Sequence, residues 1–182
     1  MLKLTTAPTV EPVTTAEAKR HARVSDSYTS EDTDIDALVS AARFKFEKES
    51  GYFLCQATYT WVPDNTLPTE TRLPLRPVID GTLTITDGVT TLTEDTDYTF
   101  EIDSDGFGIV TFTAVPADPT LVFQVGYANP TDSNPHAAPA LVKLAIKALV
   151  AHWYNNREAF AEKALGPVSA SWESVVRDFR IA

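Results

Sequence analysis

The sequence predicts an α+β fold: a helical bundle formed by the N- and C-terminal helices, with an inserted antiparallel β-sheet of about five to six strands. Three observations predict it. Apolar residues recur at the helical period in both ends of the chain. Between about 56 and 128 the period falls to two, in a stretch rich in Thr, Val, Ile and aromatics. The charge changes at the same borders: residues 1–55 carry 7 basic and 9 acidic side chains, 56–128 carry 2 and 11, and 129–182 carry 6 and 5. The expected organisation is an arm and two helices over 1–55, an inserted β domain over 56–128, and a long helix, a short helix and a tail over 129–182. Neither two-helix end can bury its apolar face alone, so the two are expected to fold together.

The first ten or so residues, with Pro8 and Pro12, read as an extended arm. Thr14 and Glu17 form a T-x-x-E capping box, which predicts a short helix over about 14–23. A second helix is predicted from about Thr33 to Ser50. Ile35, Leu38, Val39, Ala42 and Phe46 make its apolar face. Glu31, Asp32, Asp34 and Asp36 crowd its first turn, where the positive end of the macrodipole favours acids. Gly51 closes it as a left-handed cap. "QATYTWV" then begins the strands. "RLPLRPVID" reads as an edge segment, because prolines cannot donate to a ladder. "TLTITDGVTTL" reads as a hairpin turning at Asp87-Gly88 in type I′. "DYTFEIDSDGFGIVTFT" is a second hairpin, around Asp105-Gly106. "TLVFQVGY" alternates Leu121, Phe123, Val125 and Tyr127 on one face. A long helix is predicted from Pro139 to about Phe160, with Leu141, Leu144, Ala145, Ala148, Leu149, His152 and Trp153 as its apolar set. A last short helix around "SWESVVRDF" is expected to bury Trp172, Val175, Val176 and Phe179.

The chain has 182 residues, 43% of them hydrophobic and 22% charged, which suits one packed domain with an insertion. The net charge of −10 sits almost entirely in the middle third. That segment repels phosphate, which argues against nucleic-acid binding there. A single cysteine, Cys55, excludes an intrachain disulfide, and its context "GYFLCQA" predicts a buried thiol. No apolar run approaches the ~20 residues of a membrane span. "MLKLTTAPTVEP" lacks the apolar core of a secretory signal, so a soluble protein made in a cytoplasm is expected.

Chemical signatures were sought in turn. "EIDSDG" places Glu101, Asp103, Asp105 and Gly106 at calcium-loop positions, but position 12 is Phe112 instead of a bidentate Glu. His21, His136 and His152 show no metal-binding spacing, and there is no second cysteine. No nucleophile elbow, P-loop or dinucleotide fingerprint is present. The expectation is a non-enzymatic chain with no cofactor, no metal and no catalytic residue. Lys19, Arg20 and Arg23 form a basic face too small to hold nucleic acid at physiological salt, which leaves a charged surface or a subunit-pairing site.

Eight stretches, in order, resemble one family. "PVTTAEAKRHARV" is similar to the opening of the head–tail connector, or adaptor, proteins of long-tailed bacteriophages, with Thr15 and Ala22 where leucines are usual. "DTDIDALVSAARFKFEKESGYFL" resembles the family's second helix, and "QATYTWV" the strand after it. "RLPLRPV", "DYTFEIDSDGFGIVTF" and "LVFQVGY" resemble its sheet segments. "ALVKLAIKALVAHWYNNREA" is similar to its most specific stretch, and "VVRDFRI" to its end. Related adaptors occur in gene transfer agents, and the sequence leaves both sources open.

The resemblance implies a structural virion protein of the neck. Such adaptors form a closed homo-oligomeric ring, usually twelve-fold. The ring attaches to the portal, completes the DNA-filled head and extends the DNA conduit toward the stopper and tail, without sequence-specific DNA binding and without a membrane. On this reading Lys19, Arg20 and Arg23 meet Asp32, Asp34 and Asp36 of a neighbouring subunit. Tyr154 and Arg157 join that interface. Trp172, Val176, Phe179, Arg180 and Ile181 form a portal-docking tail that orders on binding. Two placements of the acidic insertion stand: lining the conduit, or facing outward. A rival reading is a virion-associated decoration module, whose acidic sheet would recognise a surface ligand through Tyr59, Trp61, Tyr98 and Phe100.

Overall fold

The computed structural model describes residues 1–127, 138–156 and 167–180, and of 167–170 the helical backbone only. Two compact units divide the chain. One comprises Met1–Val10 and Cys55–Ala137; the other comprises Glu11–Leu54 and Ala138–Ala182.

Among the described residues, the second unit holds four helices: α1 (Thr15–Ala22), α2 (Asp32–Ser50), α3 (Ala140–Asn155) and α4 (Pro167–Phe179). The Thr14 capping box forms as the sequence requires: Thr14 Oγ1 accepts from the Glu17 amide at 3.2 Å, and the Glu17 carboxylate accepts from the Thr14 amide at 2.9 Å. α2 ends on Gly51 at φ +70, the left-handed cap that glycine adopts without a Cβ penalty. α3 packs against all three other helices. The core is Ile35, Val39, Ala42 and Phe46 of α2, Val142, Ile146, Leu149 and Val150 of α3, and Trp172, Val175 and Val176 of α4. Phe46 is fully buried, with Trp172 and Phe179 edge-on at 6.1 and 5.7 Å between ring centroids.

The face that α3 buries differs from the expected one. Leu141 and Leu144 are each 50% exposed, and Val142 and Ile146 take the core positions. "ALVKLAIKALVAHW" is apolar nearly all round, so periodicity does not select a face.

The first unit is all antiparallel strand. Its five-stranded sheet runs β1 (Leu2–Thr6), β2 (Ala57–Trp61), β8 (Pro119–Val125), β4 (Thr84–Asp87) and β5 (Thr90–Thr91) in that order. A three-stranded sheet runs β3 (Glu70–Arg72), β7 (Gly108–Phe112) and β6 (Tyr98–Ile102). Two sheets thus replace the single one expected. Local periodicity finds the β6–β7 hairpin but not its partner, and that partner is β3, with Thr71 opposite Val110. The central strand is β8, whose Leu121, Phe123 and Val125 are fully buried. Residues 1–10 belong to this unit and not with the helices, because β1 pairs with β2, Leu4 opposite Tyr59. The first hairpin turns at Gly88-Val89, since Asp87 pairs with Thr90. Only Gly88 has positive φ there, so the turn is not type I′, which needs it at both central residues. In the second hairpin the Asp103 carboxylate accepts the amides of Asp105 at 2.9 Å and Phe107 at 2.8 Å, and Arg72 Nη2 reaches it at 3.1 Å. These acids hold a turn.

Candidate assembly surface

The stretch "TTAEAKRHARV" becomes α1, and its three cations have separate fates. Lys19 is 3% exposed. Its Nζ donates to Asp32 Oδ1 at 2.8 Å, the Tyr28 carbonyl at 2.7 Å and the Asp26 carbonyl at 3.1 Å. An ammonium has three protons, and all three are used. Lys19 and Asp32 therefore tie the link between α1 and α2 inside one chain; Lys19 is buried there, while the Asp32 side chain stays 37% exposed. Arg20 and Arg23 stay exposed. Arg20 Nε donates to the Ala16 carbonyl at 3.2 Å, which leaves the rest of its guanidinium outward. Arg23 closes α1 in the left-handed conformation, φ 60.

On α2, Asp34 and Asp36 are exposed. Asp36 accepts from the Thr15 hydroxyl, a tie across to α1. The Tyr154 hydroxyl donates to Glu31 at 2.5 Å within the chain. Arg157, Ile181 and His136 lie outside the described residues.

The expected tail residues are engaged inside the unit. Trp172 Nε1 donates to Glu49 Oε2 at 2.7 Å, and Arg180 Nε donates to the Glu49 backbone carbonyl at 2.9 Å. Val176 is buried, and Phe179 packs on Phe46 and Tyr52. Burial raises the Glu49 carboxyl's pKa, but the bonds from Lys45 and Trp172 together outweigh it and hold the group below its ordinary value. For Glu17 the Thr14 amide is the main cause of a lowered pKa; partial burial opposes it, and Lys147 and Lys143 add to the lowering. Sequence reasoning missed Glu49, whose spacing from Trp172 is 123 residues. It also missed Arg43, which bonds Glu11 at 2.7 Å and Glu47 at 2.7 Å and so ties the entry of the unit to α2.

The aromatic patch of the rival reading does not form on one sheet. Tyr59 and Trp61 are on β2 of one sheet; Tyr98 and Phe100 are on β6 of the other, and Tyr98 is 3% exposed. Among the described residues, no group of three or more His, Cys, Asp or Glu could hold a metal ion, and no helix is long and apolar enough to cross a membrane.

An α+β chain with a four-helix unit and two antiparallel sheets is the fold of chains found in particle necks. A chain in the neck of an empty gene transfer agent particle, computed with C6 symmetry, matches with a TM-score of 0.76 at 18% identity, over 100% of this chain and 96% of that one. A chain in the virion of a native gene transfer agent particle matches with a TM-score of 0.71, and one in the native neck, computed with C12 symmetry, with 0.68; identity and coverage are the same. No family model and no curated protein matches the chain.

Proposed function

We propose that this chain is a structural protein of a virion neck, the adaptor ring between head and tail. The observation that carries this is the likeness over 100% of the chain to chains in gene transfer agent necks. The eight ordered motifs point to the same place independently. Necks with C6 and C12 symmetry support a homo-oligomeric ring. In this reading the two ends of the chain supply one helical body. That body forms the ring wall, attaches to the portal and passes the conduit on to the stopper. The strand unit carries nearly all of the chain's net negative charge, and such a surface repels DNA. The protein performs no catalysis and works in the virion.

The portal contact is assigned to the C-terminal segment. Trp172 and Val176 are buried in their own unit, so the contact falls to the exposed Arg177, Asp178 and Arg180. Negative-stain microscopy of the purified protein, with and without its portal, tests the reading. Rings stacked coaxially on the portal are expected. Failure to bind the portal, or binding away from its axis, refutes it.

A further inference from the structure

The helical unit carries two exposed apolar stripes, on different helices. Phe44 is 63% exposed on α2. It lies two residues from the buried Phe46, about 200° round the helix, so it points away from the unit's core. Ala37 and Ala41 lie beside it and are also exposed. On α3, Leu141 and Leu144 are each 50% exposed. They stand at the i and i+3 corners of a hole completed by Ala145 and Ala148, two leucine walls over an alanine floor. One aromatic knob and one hole with a small floor are the two halves of a helix–helix contact.

The two halves cannot meet within one chain. α2 and α3 pack on each other, Ile35, Val39, Val142 and Ile146 are buried, and Phe44, Leu141 and Leu144 are left exposed. The flanks differ in charge. Asp34 and Asp36 are exposed beside the α2 stripe, with Lys48 at its far end. Lys143 and Lys147 lie beside the α3 stripe, close enough to Glu17 to lower its pKa. α1, packed on α3, adds exposed Arg20, His21 and Arg23.

We propose that Phe44 of one copy seats between Leu141 and Leu144 of the next copy, with the acidic flank of α2 against the basic flank of α1 and α3. This deepens the ring reading and rests on it. The patches are unlike, so the contact is heterologous and repeats head to tail, which closes a ring when the rotation permits.

Cysteine cross-linking tests it, because the one native cysteine, Cys55, is buried. Phe44→Cys and Leu144→Cys are made singly and together. The double variant is expected to oxidise to a ladder of covalent oligomers. A mixture of the two single variants is expected to give dimers, and each single variant alone none. Dimers from Phe44→Cys alone would mean a self-complementary contact and would overturn the proposal. Phe44→Asp, at an exposed site, should leave the circular dichroism spectrum unchanged and weaken each contact about 30-fold or more, the loss of a hot-spot aromatic. Wild-type rings with undiminished Phe44→Asp assembly would sink this inference and leave the ring reading standing. A wild-type chain that forms no ring, alone or on its portal, would sink both.

Discussion

Replacing Lys19 by Met separates a structural lysine from an assembly lysine. Methionine keeps most of the aliphatic stem that packs at the buried site and removes the ammonium. Three hydrogen bonds are lost, at 2.7, 2.8 and 3.1 Å. Bonds to a charged group are worth about 1.5–3 kcal/mol net. The groups left behind can reach water, because Asp32's side chain is 37% exposed and residues 25–30 are exposed. That energy range is per bond, and the desolvation of the buried ammonium offsets much of the sum of three, so the net cost is about 2 kcal/mol, or a melting-temperature loss of about 4–8 °C for a chain of this length. The helical signal at 222 nm is the measurement. Lys19→Glu should cost more, about 3–5 kcal/mol, because it buries a charge beside Asp32 with no partner. In a double-variant cycle, Asp32→Asn should add little once Lys19 is Met. If Lys19→Met melts within about 0.5 kcal/mol of the wild type but fails to assemble, Lys19 serves a neighbour and the argument from burial is refuted.

Other outcomes follow from the same contacts. Arg20→Glu with Arg23→Glu should weaken ring formation in sedimentation while leaving the melting temperature within a degree or two; unchanged assembly would reject the basic flank. Phe46→Ala should destabilise the helical unit by about 3–5 kcal/mol, the cost of emptying a close-packed aromatic site, read by urea titration. The carboxyls of Glu17 and Glu49 have folded pKa values below their ordinary 4.5, so their contribution is complete above about that pH and is lost as the pH falls through the folded values. Glu49→Gln should flatten the acid limb of the helical unit's stability curve and loosen α4, seen as a shift in Trp172 emission. At Gly126, φ is +101 and an added Cβ would lie 2.1 Å from the Cys55 carbonyl oxygen. Gly126→Ala should therefore cost at least about 2 kcal/mol of strain and displaced pairing in the strand unit, seen as loss of amide protection in β8.

Much of the local structure was legible. The α1 cap, the acidic start and glycine stop of α2, and the alternation of β8 each depend on neighbours within a few residues. The candidate surface was legible only in part. Arg20 and Arg23 were found as exposed cations and Asp34 and Asp36 as exposed acids. Lys19 and Asp32 looked identical to them in sequence, yet they bond one another across a separation of 13 residues. Trp172 and Val176 carry two expectations, burial by the last helix and portal docking, and the structure shows the burial; Tyr154, expected at a subunit interface, bonds Glu31 within the chain. An aromatic or aliphatic residue carries no mark of whether its partner is in the same chain.

The amino-acid order by itself determined the helices and most of the strands, because caps, turns and periodicity act over one or two turns of chain; Leu2–Thr6, an arm by local pattern, is strand only through its pairing with β2. Tertiary structure alone decided that the eight strands of the described residues divide into two sheets, since pairing β3 with β7 depends on closing a long loop. It alone decided which side of α3 faces inward, because that helix is apolar all round and only its neighbours α1, α2 and α4 break the tie. That choice leaves Leu141 and Leu144 exposed on α3.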